Sequence, residues 1–385
     1  MTQLAAVVVG AGPAGSLAAL VLARAGVDVR LVDRSCFPRD KLCGDTLNPG
    51  ALSILDRLGI GARVRERAIP IKGMVVTGPL GARVACDYPD GLVGAAISRC
   101  DLDAVLLDAA VAAGAEFVPG TPVHDVVRAD GGARVTGVRV DHAIRERIMP
   151  ARIVIAADGR RSRLASAMGL TRDGGAPRRW ACGAYFTDVD GVTSHGEMHI
   201  RPDGYTGVAP LAGNLTNVCV VRELDAARHG QRATGAETLA HALAADPDLR
   251  ARFACARQVS AVRSLGPLAV DARSAGCPGL LLAGDAAGFV DPMTGDGLRF
   301  ALRGGELAAE AALDELETGI SAHVQLSADR YREFSGKWRV NRALRSLVAS
   351  PRGVQVAAAV AARWSMPVRF LVGVAGDVAL ARRAR

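Results

Sequence analysis

The feature that most constrains the fold of this 385-residue chain is a glycine-rich turn near its start. Residues 5–33 read AAVVVGAGPAGSLAALVLARAGVDVRLVD: an apolar run, the pattern Gly-x-Gly-x-x-Gly, a helical stretch and a second run that ends in Asp33. A continuous apolar run suits a parallel strand that is buried on both faces. A glycine turn between such a strand and a helix is typical of dinucleotide-binding units. The segment therefore predicts a strand, turn, helix and strand that bind a dinucleotide.

The residues of this turn have predicted contacts with the cofactor. Glycines let the backbone approach a pyrophosphate, whose charge is stabilised by the free N–H groups of a helix N-terminus. A proline in the first helical turn costs little, because its missing N–H would have no helical partner. A carboxylate about twenty residues after the turn accepts hydrogen bonds from a ribose. The predicted contacts are Gly10, Gly12, Pro13, Ala14, Gly15 and Asp33.

Composition argues against several other classes of protein. The net charge is +8, but the arginines are scattered and are not interleaved with aromatic residues, so no nucleic-acid partner is expected. The eight cysteines form no Cys-x-x-Cys pair, which argues against a zinc site and a disulfide framework. His195 and His199 stand four residues apart, but in a strand-like stretch. No metal site is therefore predicted.

The N-terminal apolar run does not read as a targeting segment. It lacks a basic leading stretch, and glycines interrupt it. No run of about twenty apolar residues occurs in the chain, so no spanning helix is predicted. We expect a cytoplasmic protein, for which peripheral contact with a membrane remains open.

Three further motifs follow the glycine turn along the chain. They are FPRDKLCGD at residues 37–45, AADGRRSRLA at 156–165 and GDAAGFVDPMTGDGL at 284–298. The set resembles the FAD-dependent oxidoreductases of the aromatic-hydroxylase fold, and within them the branch of geranylgeranyl reductases and flavin halogenases. The resemblance covers roughly residues 4–330 and implies non-covalent FAD, with NAD(P)H as a transient electron donor.

The fold that this resemblance implies is α/β, with a Rossmann-like FAD-binding domain, an inserted antiparallel-sheet substrate domain and a C-terminal helical segment. The implied FAD-binding domain is discontinuous and comprises residues 1–70, 96–175 and 265–330. The implied substrate domain comprises residues 71–95 and 176–264. Residues 331–385 are expected to form the helical segment.

The resemblance also implies how the flavin is held. Asp285 would bind the ribitol hydroxyls, and residues 292–297 would wrap the flavin ring. The helix that starts near Gly297 would point its free N–H groups at the negative charge of the reduced ring, which they stabilise by about 0.3–1 kcal/mol. The further contacts implied in this way are Arg34 near the adenine, Cys43, Gly44, Arg99, Val123, Asp158, Pro292 and Gly295.

Residues 204–210, GYTGVAP, bear on what the flavin is used for. The halogenase motif Trp-x-Trp-x-Ile-Pro is missing. The reductase pattern Tyr-x-Trp-x-Phe-Pro keeps Tyr205 and Pro210 but has Gly207 and Ala209 in place of the two rings. These four residues are the predicted substrate-pocket residues, and the small side chains predict a roomier pocket for an apolar or aromatic small molecule.

This pocket favours an NAD(P)H-dependent monooxygenase that hydroxylates an aromatic or polyketide-like secondary metabolite. A geranylgeranyl-type reductase of isoprenoid double bonds, a halogenase and a module that only holds FAD remain alternatives. No catalytic acid or base is predicted, because FAD itself carries out the difficult chemistry.

Overall fold

The computed structural model describes residues 3–129, 132–142, 145–173, 179–223, 233–289, 293, 295–348, 350–364 and 366–383. The strands, in chain order, are β1 (Leu4–Val9), β2 (Val29–Val32), β3 (Thr46–Leu47), β4 (Ile69–Ile71), β5 (Gly73–Thr77), β6 (Arg83–Asp87), β7 (Gly94–Ala96), β8 (Glu116–Val118), β9 (Val123–Arg128), β10 (Val135–His142), β11 (Arg145–Ala156), β12 (Thr171–Asp173), β13 (Arg179–Thr187), β14 (His195–Arg201), β15 (Gly204–Leu211), β16 (Leu215–Glu223), β17 (Arg257–Gln258), β18 (Arg263–Leu265), β19 (Val270–Ala272), β20 (Gly276–Cys277) and β21 (Leu280–Leu282). The helices are α1 (Pro13–Arg24), α2 (Pro49–Arg57), α3 (Gly61–Arg65), α4 (Arg99–Ala112), α5 (Arg163–Ala167), α6 (Gly235–Ala245), α7 (Gly297–Thr318), α8 (His323–Val348), α9 (Pro351–Arg363), α10 (Met366–Ala375) and α11 (Val378–Arg383).

The central sheet contains the predicted strand–turn–helix–strand unit. Its parallel strands lie in the order β21–β11–β1–β2–β8, and β20 pairs antiparallel with β21 at the edge. β1 has a partner on each side, and Val7, Val8 and Val9 are buried. This burial on both faces explains the continuous apolar run. The predicted parallel strands and the helix between them are confirmed.

Two layers cover this sheet. On one face the helices α1, α4 and α7 contribute Leu17, Leu102 and Leu302 to one fully buried cluster. On the other face the antiparallel strands β9, β10 and β11 form a second cluster, in which Val126 and Val138 pack with residues of β1. The carboxyl ends of the parallel strands therefore open towards the rest of the molecule, where ligands bind in open α/β sheets.

The second sheet has the order β17–β13–β16–β15–β14–β5–β6, with β18 beside β13. Its pairs are antiparallel except for β14 with β5. The helix α6 covers one face, where Leu239 and Leu243 pack against Val218 and Val220. The opposite face remains available to line a cavity. A largely antiparallel sheet built from strands within residues 71–95 and 176–264 agrees with the predicted fold class.

The C-terminal helices are continuous with the FAD-binding part of the fold. The sequence predicted that the C-terminal helical segment begins at residue 331. α8 starts earlier, at His323, and continues through this boundary without interruption, with Leu326 and Phe334 buried on either side of it. Asp377 forms ion pairs with Arg299 of α7 and Lys337 of α8. None of the helices in the described ranges is both long enough and apolar enough to cross a bilayer.

Candidate functional site: a glycine cradle and an apolar cavity

The glycine turn after β1 brings backbone against backbone. Gly10 has a φ of +101°, and a Cβ there would lie 2.4 Å from the carbonyl oxygen of Ala157. A Cβ on Gly15 would lie 1.8 Å from the carbonyl oxygen of Gly10. Neither position accepts a side chain, because such contacts are far shorter than van der Waals distances. α1 therefore begins directly at the end of β1.

Positive charge surrounds the start of α1. A Cβ on Gly12 would have two neighbours within 4 Å among the described residues, the Nη2 atoms of Arg39 at 3.4 Å and of Arg99 at 3.9 Å. Gly12 is the N-cap of this 12-residue helix, and Pro13 occupies its first turn. Free N–H groups, a missing side chain and two guanidinium groups form a concave, cationic space. This space fits a pyrophosphate.

The carboxylate of Asp103 fixes the position of Arg99. Arg99 is buried at the start of α4, and its Nε and Nη2 donate to Asp103 at 2.7 and 2.8 Å. Arg39 reaches the same carboxylate at 3.2 Å. Ser98 caps α4 through the N–H of Asp101 at 3.1 Å. The sequence predicted Arg99 as a cofactor contact, but it missed Arg39 and the buried Asp103.

The predicted adenosine end lies along β2. Asp33 is buried, with Oδ2 accepting from the N–H of Ala11 at 2.8 Å and Oδ1 from the N–H of Ser35 at 2.8 Å. Its remaining lone pairs are available to a ribose diol. The N–H of Thr121 binds the carbonyl oxygen of Asp33, which brings Val123 at the start of β9 close to this end. Arg34 is exposed.

Lys41 is a third cation of the cradle, after Arg39 and Arg99. The sequence analysis did not predict it as a cofactor contact, although it lies in the FPRDKLCGD segment. Its Nζ would lie 3.9 Å from a Cβ on Gly159, and it lines the cavity with Arg160. Burial, followed by the charges of Arg99 and Arg39, lowers the pKa of Lys41, whereas Asp285 raises it. A bound pyrophosphate would supply the further negative charge that this group lacks.

The flavin motif at 284–298 lies beside these cations. Gly284 has a φ of +58°, and a Cβ there would lie 2.8 Å from the Cβ of Ala14. Asp285, Gly295 and Gly297 line the cavity, and Gly297 is the first residue of the 22-residue helix α7. The N-terminus of α7 thus faces the cavity as the resemblance implied. Pro292 lies outside the described residues.

The Asp158 motif is placed next to the cavity. The Asp158 carboxylate accepts from the N–H of Arg163 at 2.9 Å and so stabilises the start of α5, and burial raises its pKa. Asp158 is not among the residues that line the cavity, whereas its neighbours Gly159 and Arg160 are. The side chain therefore supports the turn, and the following residues reach the cofactor space.

The cradle is one end of a cavity of about 410 Å³ that continues between the central sheet, the second sheet and the C-terminal helices. Most of its lining is apolar, including Ile71, Met74, Val76, Val84, Met198, Ile200, Val221, Leu265, Leu268, Leu344, Leu347, Val354, Leu371 and Val372. The cation-bearing side chains Lys41, Arg99 and Arg160 lie at the cradle. A ligand that fits this space has a charged end and an apolar end.

Three of the four predicted pocket residues line this cavity. Tyr205, Gly207 and Ala209 project from the same face of β15. Among the residues that the structure describes, a Cβ on Gly207 would meet two carbonyl oxygens, at 3.8 and 3.9 Å, so the strand leaves space there. Pro210 is buried and is not among the residues that line the cavity. The prediction for Pro210 therefore differs from its position.

The Cys43–Gly44 loop also borders the cavity. Burial, followed by the charge of Asp45, raises the pKa of the Cys43 thiol. Gly44 is exposed, and a Cβ there would have no neighbour within 4 Å among the described residues. A thiol with a raised pKa is a weak nucleophile, so this loop provides packing and backbone groups to the cavity.

The histidines considered for a metal site form part of an ion-pair network. His199 is fully buried, and its two ring nitrogens lie 2.9 Å from Thr77 Oγ1 and Glu197 Oε2. Asp246 and Asp248 lie near it, but Arg201 donates to both at 2.8 and 2.7 Å. Because the guanidinium already occupies an oxygen of each carboxylate, the cluster carries no argument for a metal ion.

The cradle and the glycine turn have the features of an FAD-binding flavoprotein. The chain belongs to the family described as FAD binding domain, whose model matches residues 3–309, and it is an FAD-dependent oxidoreductase. The family and the fold class predicted from the motifs are thereby confirmed.

The chain is similar to several named proteins. A menaquinone reductase of Mycolicibacterium smegmatis is 32% identical, over 98% of this chain and 92% of its own length. A digeranylgeranylglycerophospholipid reductase of Methanosarcina mazei is 29% identical, over 86% of this chain and 79% of its own. A solved flavin-dependent brominase matches with a TM-score of 0.82 at 20% identity, over 97% of this chain and 94% of its own, which shows a shared fold.

Proposed function

We propose that this protein is an FAD-dependent reductase that saturates a carbon–carbon double bond in the polyprenyl chain of a lipid. The observation that carries this proposal is the apolar cavity that extends from the glycine cradle to the C-terminal helices. A polyprenyl chain is long and apolar, and it gains about 25 cal/mol for each Å² of apolar surface removed from water. Leu344, Val354 and Leu371 provide such a surface at the end remote from the cradle.

The relatives' names point to the same substrate class. Menaquinone and digeranylgeranylglycerophospholipid, the molecules in those names, both carry polyprenyl chains. The 32% identical relative spans nearly the whole of this chain, including the second sheet and the C-terminal helices. Both names therefore support a lipid substrate more than a planar secondary metabolite.

The residues of the chain would divide the work between binding and enclosure. FAD, when bound, supplies the hydride. The α1 turn with Arg39 and Arg99 would hold the pyrophosphate, Asp33 and Asp285 the sugar hydroxyls, and the N-terminus of α7 the ring. The apolar lining would keep water away from the reacting carbons. We expect NAD(P)H as the electron donor.

Hydroxylation is the second candidate, and Gly207 and Ala209 are the observation that favours it. The open space beside Gly207 would accept a planar aromatic molecule against the ring. A halogenase needs a lysine at the substrate, and Lys72 lies next to the first strand of the second sheet. Lys72 is exposed between β4 and β5 and does not line the cavity, so the structure offers no support there.

The test compares the fate of a prenylated lipid with that of oxygen. We expect the FAD-loaded protein with NAD(P)H to add two hydrogens to one double bond of a menaquinone or a geranylgeranyl lipid without oxygen, as measured by mass spectrometry. The same reaction in labelled oxygen should leave the product unlabelled. Label in the product, with no anaerobic saturation, would replace the reductase by the hydroxylase.

Two substitutions at one position test the cavity itself. Gly207→Trp should reduce turnover at least 100-fold while FAD occupancy stays unchanged, because the indole would fill the space beside β15. Gly207→Ala is the matched control and should keep turnover within about 3-fold, since its Cβ has only ordinary contacts. Equal turnover in both variants would show that this strand does not face the substrate.

The C-terminal helices suggest how a lipid reaches the cavity. Val356, Val360, Trp364, Met366 and Phe370 form what we call the C-terminal apolar face, and Trp364 and Phe370 are 65% and 70% exposed. The same helices line the cavity through other residues of α9 and α10. An exposed apolar surface of this kind marks an interaction site.

The charge around this face favours an anionic bilayer as its partner. Arg352, Arg363 and Arg369 are exposed beside it. The one acidic residue among residues 349–385 is Asp377, which is paired with Arg299 and Lys337. Aromatic and basic side chains on the same helices are typical of helices that lie in a membrane interface. Peripheral membrane contact and action on the cytoplasmic side remain predictions.

We expect the protein to sediment with phosphatidylserine vesicles and less with neutral ones, and to be released by high salt. Trp364→Ser with Phe370→Ser should weaken binding at least 10-fold, because each large apolar side chain contributes about 1.5–3 kcal/mol on burial. Ile320→Ser is a control at a 73% exposed residue outside the face. Equal binding by all three proteins would refute this docking surface.

A further inference from the structure

Asp45 is a buried carboxyl of the cavity to which neither the motifs nor the proposed function gives a role. It is fully buried, it lines the cavity, and it precedes β3. Its backbone is left-handed, with a φ of +53°, a conformation that aspartate tolerates better than most residues. The N–H of Ile97 donates to its carbonyl oxygen at 2.9 Å. The loop therefore holds this side chain in a fixed position.

The two carboxyl oxygens of Asp45 have different surroundings. Oδ2 accepts from the hydroxyl of Tyr185 at 2.8 Å and from Nδ2 of Asn217 at 2.8 Å. Asn217 Nδ2 also donates to the carbonyl oxygen of Cys43 at 2.7 Å. Oδ1 is buried and has no hydrogen-bond partner among the described residues. Buried polar atoms are nearly always satisfied, so this oxygen indicates a ligand partner.

The charged and titratable groups that act on Asp45 lie on its own loop, on α4 and on β13, and its charge also acts on the buried thiols of Cys43 and Cys219. Burial raises the pKa of Asp45 to about 8, against the hydrogen bond from Tyr185 of β13 and the charge of Arg99 of α4, which lower it. Asp40 of the same loop raises it further. The carboxyl is therefore protonated at pH 7. Because Oδ2 already accepts two hydrogen bonds, the proton belongs on Oδ1.

We propose that Asp45 is a catalytic acid of this enzyme, which donates the proton on Oδ1 to the substrate in the cavity. The step rests on the proposed function. Saturation of a double bond adds a hydride, with two electrons from reduced FAD, to one carbon. The other carbon forms its new C–H bond with the proton of Asp45, whose O–H bond breaks. The resulting carboxylate keeps its hydrogen bonds from Tyr185 and Asn217 until water returns a proton.

The first experiment follows the carboxyl group without turnover. Infrared difference spectra of the FAD-loaded protein should show a protonated carboxylic acid that disappears with a midpoint near pH 8, and Asp45→Asn should lack this band. Tyr185→Phe should move the midpoint upwards, because it removes a hydrogen bond that favours the charged form. A wild-type carboxyl that titrates near pH 4 would overturn the proposal.

Stability against pH gives a second readout on the same group. The folded pKa of about 8 lies above the ordinary value of 3.8, so the proton stabilises the folded state. Stability from this group is therefore present at low pH and declines as pH rises towards 8. Relative to wild type, Asp45→Asn should lose less melting temperature between pH 5 and pH 9. Identical pH slopes for the two proteins would contradict the assignment.

Turnover then tests the chemical role. Asp45→Asn should keep FAD affinity within about 3-fold but lose at least 100-fold in double-bond saturation, the usual range for a general acid. A titration near pH 8 with unchanged turnover would overturn Asp45 as the proton donor. If wild type saturates no double bond but the carboxyl still titrates near pH 8, the proposed function fails while the protonated cavity-facing carboxyl stands.

Discussion

Gly15→Ala is expected to abolish FAD binding and to lower the free energy of unfolding by about 3 kcal/mol, the upper part of the range for overpacking. Its Cβ would lie 1.8 Å from the carbonyl oxygen of Gly10 and 3.1 Å from the Cβ of Ala157. The first obstacle is backbone and cannot rotate away. α1 would have to move off the end of β1, and the pyrophosphate space would be lost with it.

Substitutions at two further glycines distinguish an effect on stability from an effect on FAD binding. Gly12→Ala should leave the unfolding free energy nearly unchanged, because its Cβ would meet only the flexible ends of Arg39 and Arg99. It should weaken FAD binding at least 10-fold, since the methyl group stands where the pyrophosphate approaches. Gly336 is exposed in α8, and a Cβ there would have no neighbour within 4 Å in the described part of the chain, so Gly336→Ala should stabilise the protein by about 0.5–1 kcal/mol.

Urea unfolding of the apoprotein and FAD titration by fluorescence measure the two effects independently. The expected order of stability is Gly336→Ala above wild type, then Gly12→Ala, then Gly15→Ala. FAD binding should be abolished in Gly15→Ala, at least 10-fold weaker in Gly12→Ala and unchanged in Gly336→Ala. A Gly15→Ala protein that folds normally and binds FAD with wild-type affinity would refute the role assigned to this turn.

Structural elements that form from residues close together in the chain were predictable from the sequence, whereas contacts between distant residues were not. The β1–turn–α1–β2 unit is a local pattern of about 30 residues, so its strands, its helix and the position of its glycine turn were predictable. The antiparallel character of the second sheet was also predictable. The parallel pairing of β14 with β5 was not, because no local pattern encodes a partner so distant along the chain.

The site shows the same limit more sharply. Asp45 lies within the quoted motif FPRDKLCGD, yet its partners Tyr185 and Asn217 are 140 and 172 residues away. Burial, the free oxygen and the raised pKa all arise from these distant contacts and from the cavity. The sequence offered no signal for them. The face that Pro210 occupies, by contrast, was predictable from the two-residue period of a strand that contains Tyr205, Gly207 and Ala209.

Arg99 should prove as important as the glycines, for an electrostatic reason. Arg99→Leu is expected to lower the unfolding free energy by about 3–5 kcal/mol, the usual cost of leaving a buried charge without its partner. Asp103 is fully buried, and of its ion-pair partners in the described part of the chain it would keep Arg39, at 3.2 Å. The same variant should lose FAD, because one of the two guanidinium groups above Gly12 is removed.

The double variant Arg99→Leu with Asp103→Leu separates these two consequences. Removing both charges eliminates the unpaired carboxylate, so much of the lost stability should return, as it does when buried ion pairs are replaced by apolar residues. FAD binding should not return, since the cation that faces the pyrophosphate is still missing. Urea unfolding and FAD titration of the four proteins in this cycle provide the measurement. Recovery of FAD affinity in the double variant would show that Arg99 acts on the cofactor only through the local structure of α4. If the unfolding free energy does not recover, the unpaired carboxylate of Asp103 is not the cause of the instability of Arg99→Leu.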